Sequence, residues 1–540
     1  MKQKIISILK SSLNELNYLG VDPIIQKPKH EKDADFATNI AFILSKKNNK
    51  SPIEIAESIK NKISNNDFFT SVVIAGPGFI NLKINPNHVI DELKEIITNK
   101  HNYGKNDSGK AAKVLVEFVS ANPTGPLTVG HGRGAILGDV ISNIYSWNGY
   151  NVDREYYYNN AGRQMRKLGE SVYARYLELC NQKSIFPEDG YKGKYIVNIA
   201  SEIKKKHGAS LINESKNDFF KEEAESYIFK NIKNTLEKIG LEFDSFYNEN
   251  DLYESKKIDK VISELDKKNL IYNKDGAIWF KGTDVGRDVD RVLIKSTGEP
   301  TYRLPDMAYH ATKFDRGYQI SVDIFGADHM DAYPDILAVL NQLGYDSDKV
   351  KVLIHQFISI LKNGKPIKMS TREANFITLN DLIDDVGSDV VRYFFVMRNI
   401  NSHLNFDLKI AKEKSENNPV YYIQYCHARI SNLLNKSDFL KIDINTINLN
   451  LLNQESELKL IHKLIDFNEL IVKLIDTHEP QILANYLHNL ASLFHKYYAH
   501  NRIISNNEEL SNARLVLSFA VQIIIKNGLN ILGISHPDKM

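Results

Sequence analysis

The chain opens with apolar residues at helical spacing and soon changes to strand spacing. In MKQKIISILKSSLNELNYLG the apolar positions are separated by polar ones, which predicts an amphipathic helix over residues 5–19. A second apolar run covers 36–44. Ser51-Pro52-Ile53-Glu54 is a capping box with proline at the first helical position, so a helix follows through Ile55, Ala56, Ile59 and Ile63. Residues 72–75 and 79–84, split by Gly76-Pro77-Gly78, read as two strands around a turn. Residues 1–105 are thus expected to form a small α+β domain without catalytic chemistry of its own.

A polar linker, 101–113, leads to the short apolar run 114–119, a buried strand by composition. Ser120-Ala121-Asn122-Pro123-Thr124-Gly125-Pro126 then breaks the chain. Gly130-His131-Gly132-Arg133-Gly134 follows, with an apolar helical pattern over 135–147 and an aromatic strand over 150–158. Residues 180–270 turn lysine-rich and helical, which reads as an insertion with a solvated charged face. The sheet pattern resumes over 276–281, 291–295 and 301–306, then over 320–325 and 351–360. Strands alternating with helices imply a mostly parallel sheet covered on both faces, over 106–390. A connecting helical segment is expected over 391–414 and an all-α domain over 415–540.

Charge and cysteine content narrow the function classes. Lys+Arg of 69 against Asp+Glu of 67 leaves the chain near neutral, so any nucleic-acid surface must be local. The two cysteines, Cys180 and Cys426, form no CxxC pair, which argues against structural zinc and disulfides and suits a reducing cytoplasm. The N-terminus does not read as a signal peptide, and no apolar run is expected to span a bilayer.

Two loops carry the chemistry. A helix N-terminus offers unpaired N–H groups and a partial positive charge, which favour phosphate. Thr128, Gly130, His131 and Gly132 sit at such a start, directly after a strand. Taken alone, glycines and one histidine read as a steric turn. The loop from Lys362 to Arg372 holds three lysines, an arginine, a Gly and a Pro; a mobile cationic loop can close over a polyphosphate.

Thr128-Val129-Gly130-His131 resembles the His-x-Gly-His signature of class I aminoacyl-tRNA synthetases, with Thr128 in place of the leading histidine. Lys368-Met369-Ser370-Thr371-Arg372 resembles their second signature, with Thr371 in place of its second lysine. Further stretches narrow the resemblance to arginyl-tRNA synthetases: 33–38 and 75–81, Val116-Glu117-Phe118, Ser120 to Pro123, 302–310, Gly326 to His329, 418–429 and Leu532-Gly533-Ile534.

That resemblance implies a Rossmann-like catalytic domain, an N-terminal domain touching the outer corner of tRNA, and a helical anticodon-binding domain. It implies ATP and L-arginine as substrates, Mg²⁺ travelling with ATP, tRNA(Arg) as partner, no structural zinc and a monomer in the cytoplasm. Glu117, Tyr302 and Asp306 would hold the guanidinium, which as a planar permanent cation needs carboxylates and flat acceptors. Ser120 and Asn122 would hold the α-amino end. Thr128, Gly130, His131, Gly132, Gly326 and Asp328 would contact ATP, with Lys368, Met369, Ser370 and Arg372 closing from the other side. His131, Lys368 and Arg372 would be the catalytic groups. The substrate supplies the nucleophile, so no Ser/His/Asp triad is needed. Another class I synthetase, a non-catalytic tRNA-binding relative and a nucleotidyltransferase on the same fold are the alternatives at this point.

Overall fold

The computed structural model describes residues 1–28, 34–213, 218–327, 330–367, 377–437, 439 and 443–540. The N-terminal unit builds a four-stranded antiparallel sheet from Ile25–Gln26, Phe36–Thr38, Phe79–Ile84 and Phe69–Ala75. Ser51 caps its third helix, Pro52–Ile63, through the reciprocal bonds to Glu54 that the sequence pattern implies.

The central sheet has five strands: β1 (Lys113–Glu117), β2 (Asn151–Tyr158), β3 (Ser245–Asn248), β4 (Ile320–Gly326) and β5 (Val350–His355). All pairings are parallel and the spatial order is β5-β4-β1-β2-β3. Strand order reverses between β4 and β1, the crevice where open α/β sheets hold ligands. Helix α1 (Val129–Trp147) follows β1. It starts six residues before the apolar pattern at Ala135, because Thr128 caps it and the glycines are helical.

Four expectations change. Ser245–Asn248 lies inside the stretch read as an insertion, yet pairs with β2 as an edge strand; its burial is only partial, so it lacks the apolar signature of a central strand. Residues 271–294 do not rejoin the main sheet. They form a separate antiparallel sheet of Ile271–Lys274, Ala277–Phe280 and Arg291–Ile294, folded by the Asp275-Gly276 turn, where both φ angles are positive (52° and 75°). Residues 302–306 are the start of helix α2 (Arg303–Asp315), not a strand. The run 351–360 breaks at Gln356-Phe357: its second half, Ile358–Lys362, pairs with Leu404–Asp407 in another sheet.

The C-terminal bundle comprises Pro419–Lys436, Glu455–Thr477, Gln481–His500 and Glu508–Leu532. The last helix is long and apolar enough to cross a membrane by length and composition alone, but 78% of its most apolar stretch is buried within the protein. Arg392 ties the domains together. Its guanidinium donates to Leu532 O (2.8 Å) and Ile239 O (2.7 Å) and pairs with Asp139 on α1.

Candidate active site

A cleft of about 1060 Å³ opens at the strand-order reversal, between the C-terminal ends of β1 and β4 and the start of α1. The chain leaves β1 under strain: Val119 and Ser120 have φ of 68° and 42°. For a β-branched residue this is a costly conformation, and such strain gathers at functional sites. Ser120 Oγ donates to Glu117 Oε1 at 2.9 Å, and Asn122 Oδ1 accepts from Asn159 N at 3.0 Å. Both Ser120 and Asn122 line the cleft.

At the head of α1, Thr128 Oγ1 accepts from His131 N (3.4 Å) while His131 Nδ1 accepts from Thr128 N (3.2 Å). With Nδ1 accepting, the ring proton lies on Nε2. Thr128, Gly130 and His131 line the cleft, and a Cβ on Gly130 would meet nothing nearer than Thr128 Oγ1 at 3.6 Å. Gly132 faces the other way: a Cβ there would lie 2.5 Å from Leu379 Cδ1. Its lack of a side chain serves helix packing, whereas Gly134 lines the cleft opposite His355. Thr128 also bridges Thr378, and Leu379 N donates to Leu127 O at 2.8 Å. The segment leaving the Lys362–Arg372 loop is therefore docked against the start of α1. Lys368, Met369, Ser370, Thr371 and Arg372 themselves, with Asp328 and His329, lie outside the described residues. Gly326, at the end of β4, lines the cleft.

The floor is a buried charge network. Glu117, 2% exposed, accepts from Lys313 Nζ at 2.7 Å, and Lys313 also reaches Asp323 Oδ1 at 2.6 Å. Burial disfavours the Lys313 ammonium, but Asp323 and Glu117 outweigh it and hold its pKa above the ordinary lysine value. His310 and Tyr333 complete the network at Asp323 Oδ2. The three potential metal ligands here, Glu117, His310 and Asp323, already have their cation in Lys313.

Above this floor Asp306, in the first turn of α2, differs. Its carboxylate has no side-chain hydrogen bond or ion pair among the described residues, and it lines the cleft. Burial, reinforced by Glu117 and Glu249 and opposed by His310 and Lys313, pushes its pKa up to about 7. Glu249, just past β3, is likewise raised by burial, although Tyr157 (2.9 Å) and Asn159 (2.7 Å) donate to it. Tyr302 stands 61% exposed at the rim.

Comparison with known proteins gives this cleft a family. Residues 92–407 match the class I tRNA synthetase (R) catalytic domain, 3–84 the arginyl-tRNA synthetase N-terminal domain, and 423–540 the DALR anticodon binding domain. The arginine–tRNA ligase of Desulfotalea psychrophila is 47% identical over 520 residues, 96% of this chain and 94% of that protein. That of Chlorobaculum tepidum is 47% identical over 529 residues, 96% of each. The chain belongs to the arginyl-tRNA synthetases. The Thermus thermophilus arginyl-tRNA synthetase, at 20% identity, shares the fold across 100% of both chains with a TM-score of 0.78.

In this arginyl-tRNA synthetase the cleft holds groups that sequence reading did not single out: Glu249, Lys313, Tyr157, Asn159 and His355. Glu249 was hidden because it follows an edge strand inside a lysine-rich block. Lys313 sits one helical turn beyond Tyr309-His310, near the end of α2, where a lysine ordinarily reads as solvated. A lysine at the end of an otherwise apolar helix face was the one available signal.

Proposed function

We propose that the Asp306 and Glu249 carboxylates receive the guanidinium of L-arginine in the arginine–tRNA ligation that this chain performs with ATP. What carries this reading is Asp306: a carboxylate facing the cleft, raised to about 7, without a side-chain partner among the described residues. A permanent guanidinium supplies the missing counter-charge and hydrogen bonds. An ammonium or a neutral side chain supplies fewer. Tyr302 closes the rim over the methylene stem. Glu117 differs from Asp306, since Lys313 and Ser120 already occupy its oxygens; it sets the local field and holds Ser120. Ser120 and Asn122 then meet the α-amino end.

ATP enters as its magnesium complex. Its phosphates lie on the N-terminus of α1, where His131 Nε2 donates and Gly130 and Gly134 let them approach the backbone. Gly326 and Asp328 take the nucleoside. Arginine's carboxylate attacks the α-phosphorus; the bond from that phosphorus to the α,β-bridging oxygen breaks and pyrophosphate leaves with that oxygen. Lys368 and Arg372, with Met369 and Ser370 in the same loop, neutralise the charge that builds on it. A terminal ribose hydroxyl of tRNA(Arg), the 2′-OH by class I analogy, then attacks the carbonyl and AMP leaves. Catalysis is positioning and charge stabilisation, with the attacking groups supplied by the substrates.

The labour divides along the chain as 1–105 for the tRNA corner, 106–390 for catalysis, 391–414 as connector and 415–540 for the anticodon. Tyr425 and Tyr498, each 37% exposed, flank the Arg429 guanidinium at 4.6 and 5.0 Å, a surface suited to stacking unpaired bases. The ligase works as a monomer in the cytoplasm, a reading that its two unpaired cysteines support for the compartment. The test is aminoacylation with radiolabelled arginine alongside ATP–pyrophosphate exchange, with and without tRNA. Charging of tRNA with arginine, and exchange only when tRNA is present, is expected. Exchange with another amino acid would overturn the pocket; binding of tRNA with no exchange would overturn the mechanism.

A further inference from the structure

The loop that carries Ser120 and Asn122 is not held by its own strand alone. Tyr156 on β2 donates from its hydroxyl to Ala121 O at 2.8 Å. Tyr157 N donates to Ser120 Oγ at 3.3 Å and Asn159 N to Asn122 Oδ1, and two further ties come from the helices inserted between β2 and β3. Tyr195, the second residue of helix Lys194–His207, donates to Thr124 O at 2.8 Å, its ring against Gly125. Gln164, in helix Gly162–Leu179, accepts from Asn122 Nδ2 at 3.2 Å. The loop needs such ties, because Val119 and Ser120 are in the left-handed region and would relax without them.

We infer that Tyr195 and Gln164 are positioning residues for arginine: the helices inserted between β2 and β3 back the loop from outside the cleft and keep Asn122 and Ser120 turned to it. The inference rests on the reading that this loop meets the α-amino end of arginine. Their bonds fix the loop from the side away from the substrate, so they act through Asn122 and Thr124. ATP, on the other side of His131, does not depend on them. Removing one such tie loses a single net hydrogen bond and frees the loop from its strained conformation.

The experiment is steady-state aminoacylation by Tyr195→Phe, Gln164→Leu, Gln164→Glu and Asn122→Ala, with thermal melts of each. Tyr195→Phe and Gln164→Leu should each raise KM for arginine about fivefold to tenfold, the size of one net hydrogen bond, while KM for ATP and Tm hold. Gln164→Glu keeps the acceptor and should restore KM for arginine. Asn122→Ala should raise it further. If Asn122→Ala leaves KM for arginine unchanged, the site reading fails. If Asn122→Ala raises it but Tyr195→Phe and Gln164→Leu do not, the positioning role fails while the site stands. A fall in Tm with both KM values rising together assigns the two residues to folding and also overturns the role.

Discussion

Replacing Asp306 with asparagine separates a substrate carboxylate from a helix-capping one, because the two roles predict opposite signs for stability. In the free protein the folded-state pKa is about 7 against an ordinary value of 3.8. The fold therefore binds this proton better than the unfolded chain does. The stability that this gives is complete below the unfolded value and is lost as pH rises through about 7. Asp306→Asn removes the loss, so the arginine-free protein should melt at higher temperature than wild type at pH 8, with the gap narrowing as pH falls and closing only below the ordinary value of 3.8. Arginine binding moves the other way, since the guanidinium needs the ionised form. Truncating one partner of a buried charge pair costs about 2–5 kcal/mol, and Glu249 keeps part of the contact, so the low end applies. At about 1.4 kcal/mol per tenfold, Asp306→Asn should raise the dissociation constant for arginine roughly 30- to 150-fold. In wild type that constant should rise about tenfold per pH unit below 7, and the slope should vanish in the variant. Calorimetric titration from pH 5.5 to 8.5, with melts over the same range, reads both. A destabilised variant with unaltered arginine affinity would refute the reasoning and leave Asp306 as a cap on α2.

Three other outcomes follow from the same geometry. Lys368→Ala should lower kcat by about a hundredfold, the low end for losing one donor to developing charge; unchanged kcat in single-turnover assays would exclude it from the reaction. Gly132→Ala should destabilise the fold by about 1–3 kcal/mol, because its Cβ would press on Leu379, and should leave KM for ATP alone, whereas Gly134→Ala should raise that KM with little change in denaturant midpoint. Arg392→Met should cost about 2–3 kcal/mol in chemical unfolding, since two buried carbonyls lose their donor while Asp139 keeps only Arg154 as its partner; a loss under 1 kcal/mol would show that the domains hold together without it.

Local chemistry made the caps and short strands readable. Ser51 with Glu54 and the Gly76-Pro77-Gly78 turn involve residues within a few positions of one another, so spacing alone fixes them. The strand-loop-helix unit from Lys113 to Trp147 was readable for the same reason, as was the helical character of the C-terminal quarter. The two signature loops showed in residue order and spacing, and the bridge between Thr128 and Thr378 joins the ends of the elements that carry them.

Partnerships between distant segments were not readable. Whether 271–294 joins the main sheet, and whether 351–360 is one strand or two, depends on which backbone edges are free once the chain has folded. Gly132 and Gly134 look alike in sequence; only the arrival of Leu379 on one face of α1 and His355 on the other separates them. The charge state of the pocket is decided the same way. Glu117 and Asp306 are both single acids beside apolar residues. Lys313 reaches Glu117 from α2 while Asp306 has no ion pair among the described residues, and a carboxylate's pKa follows the charges and burial around it, not its neighbours in the chain. Periodicity and caps are short-range and survive in one dimension. Ion pairing, burial and the aim of a side chain into a cleft exist only after distant segments meet.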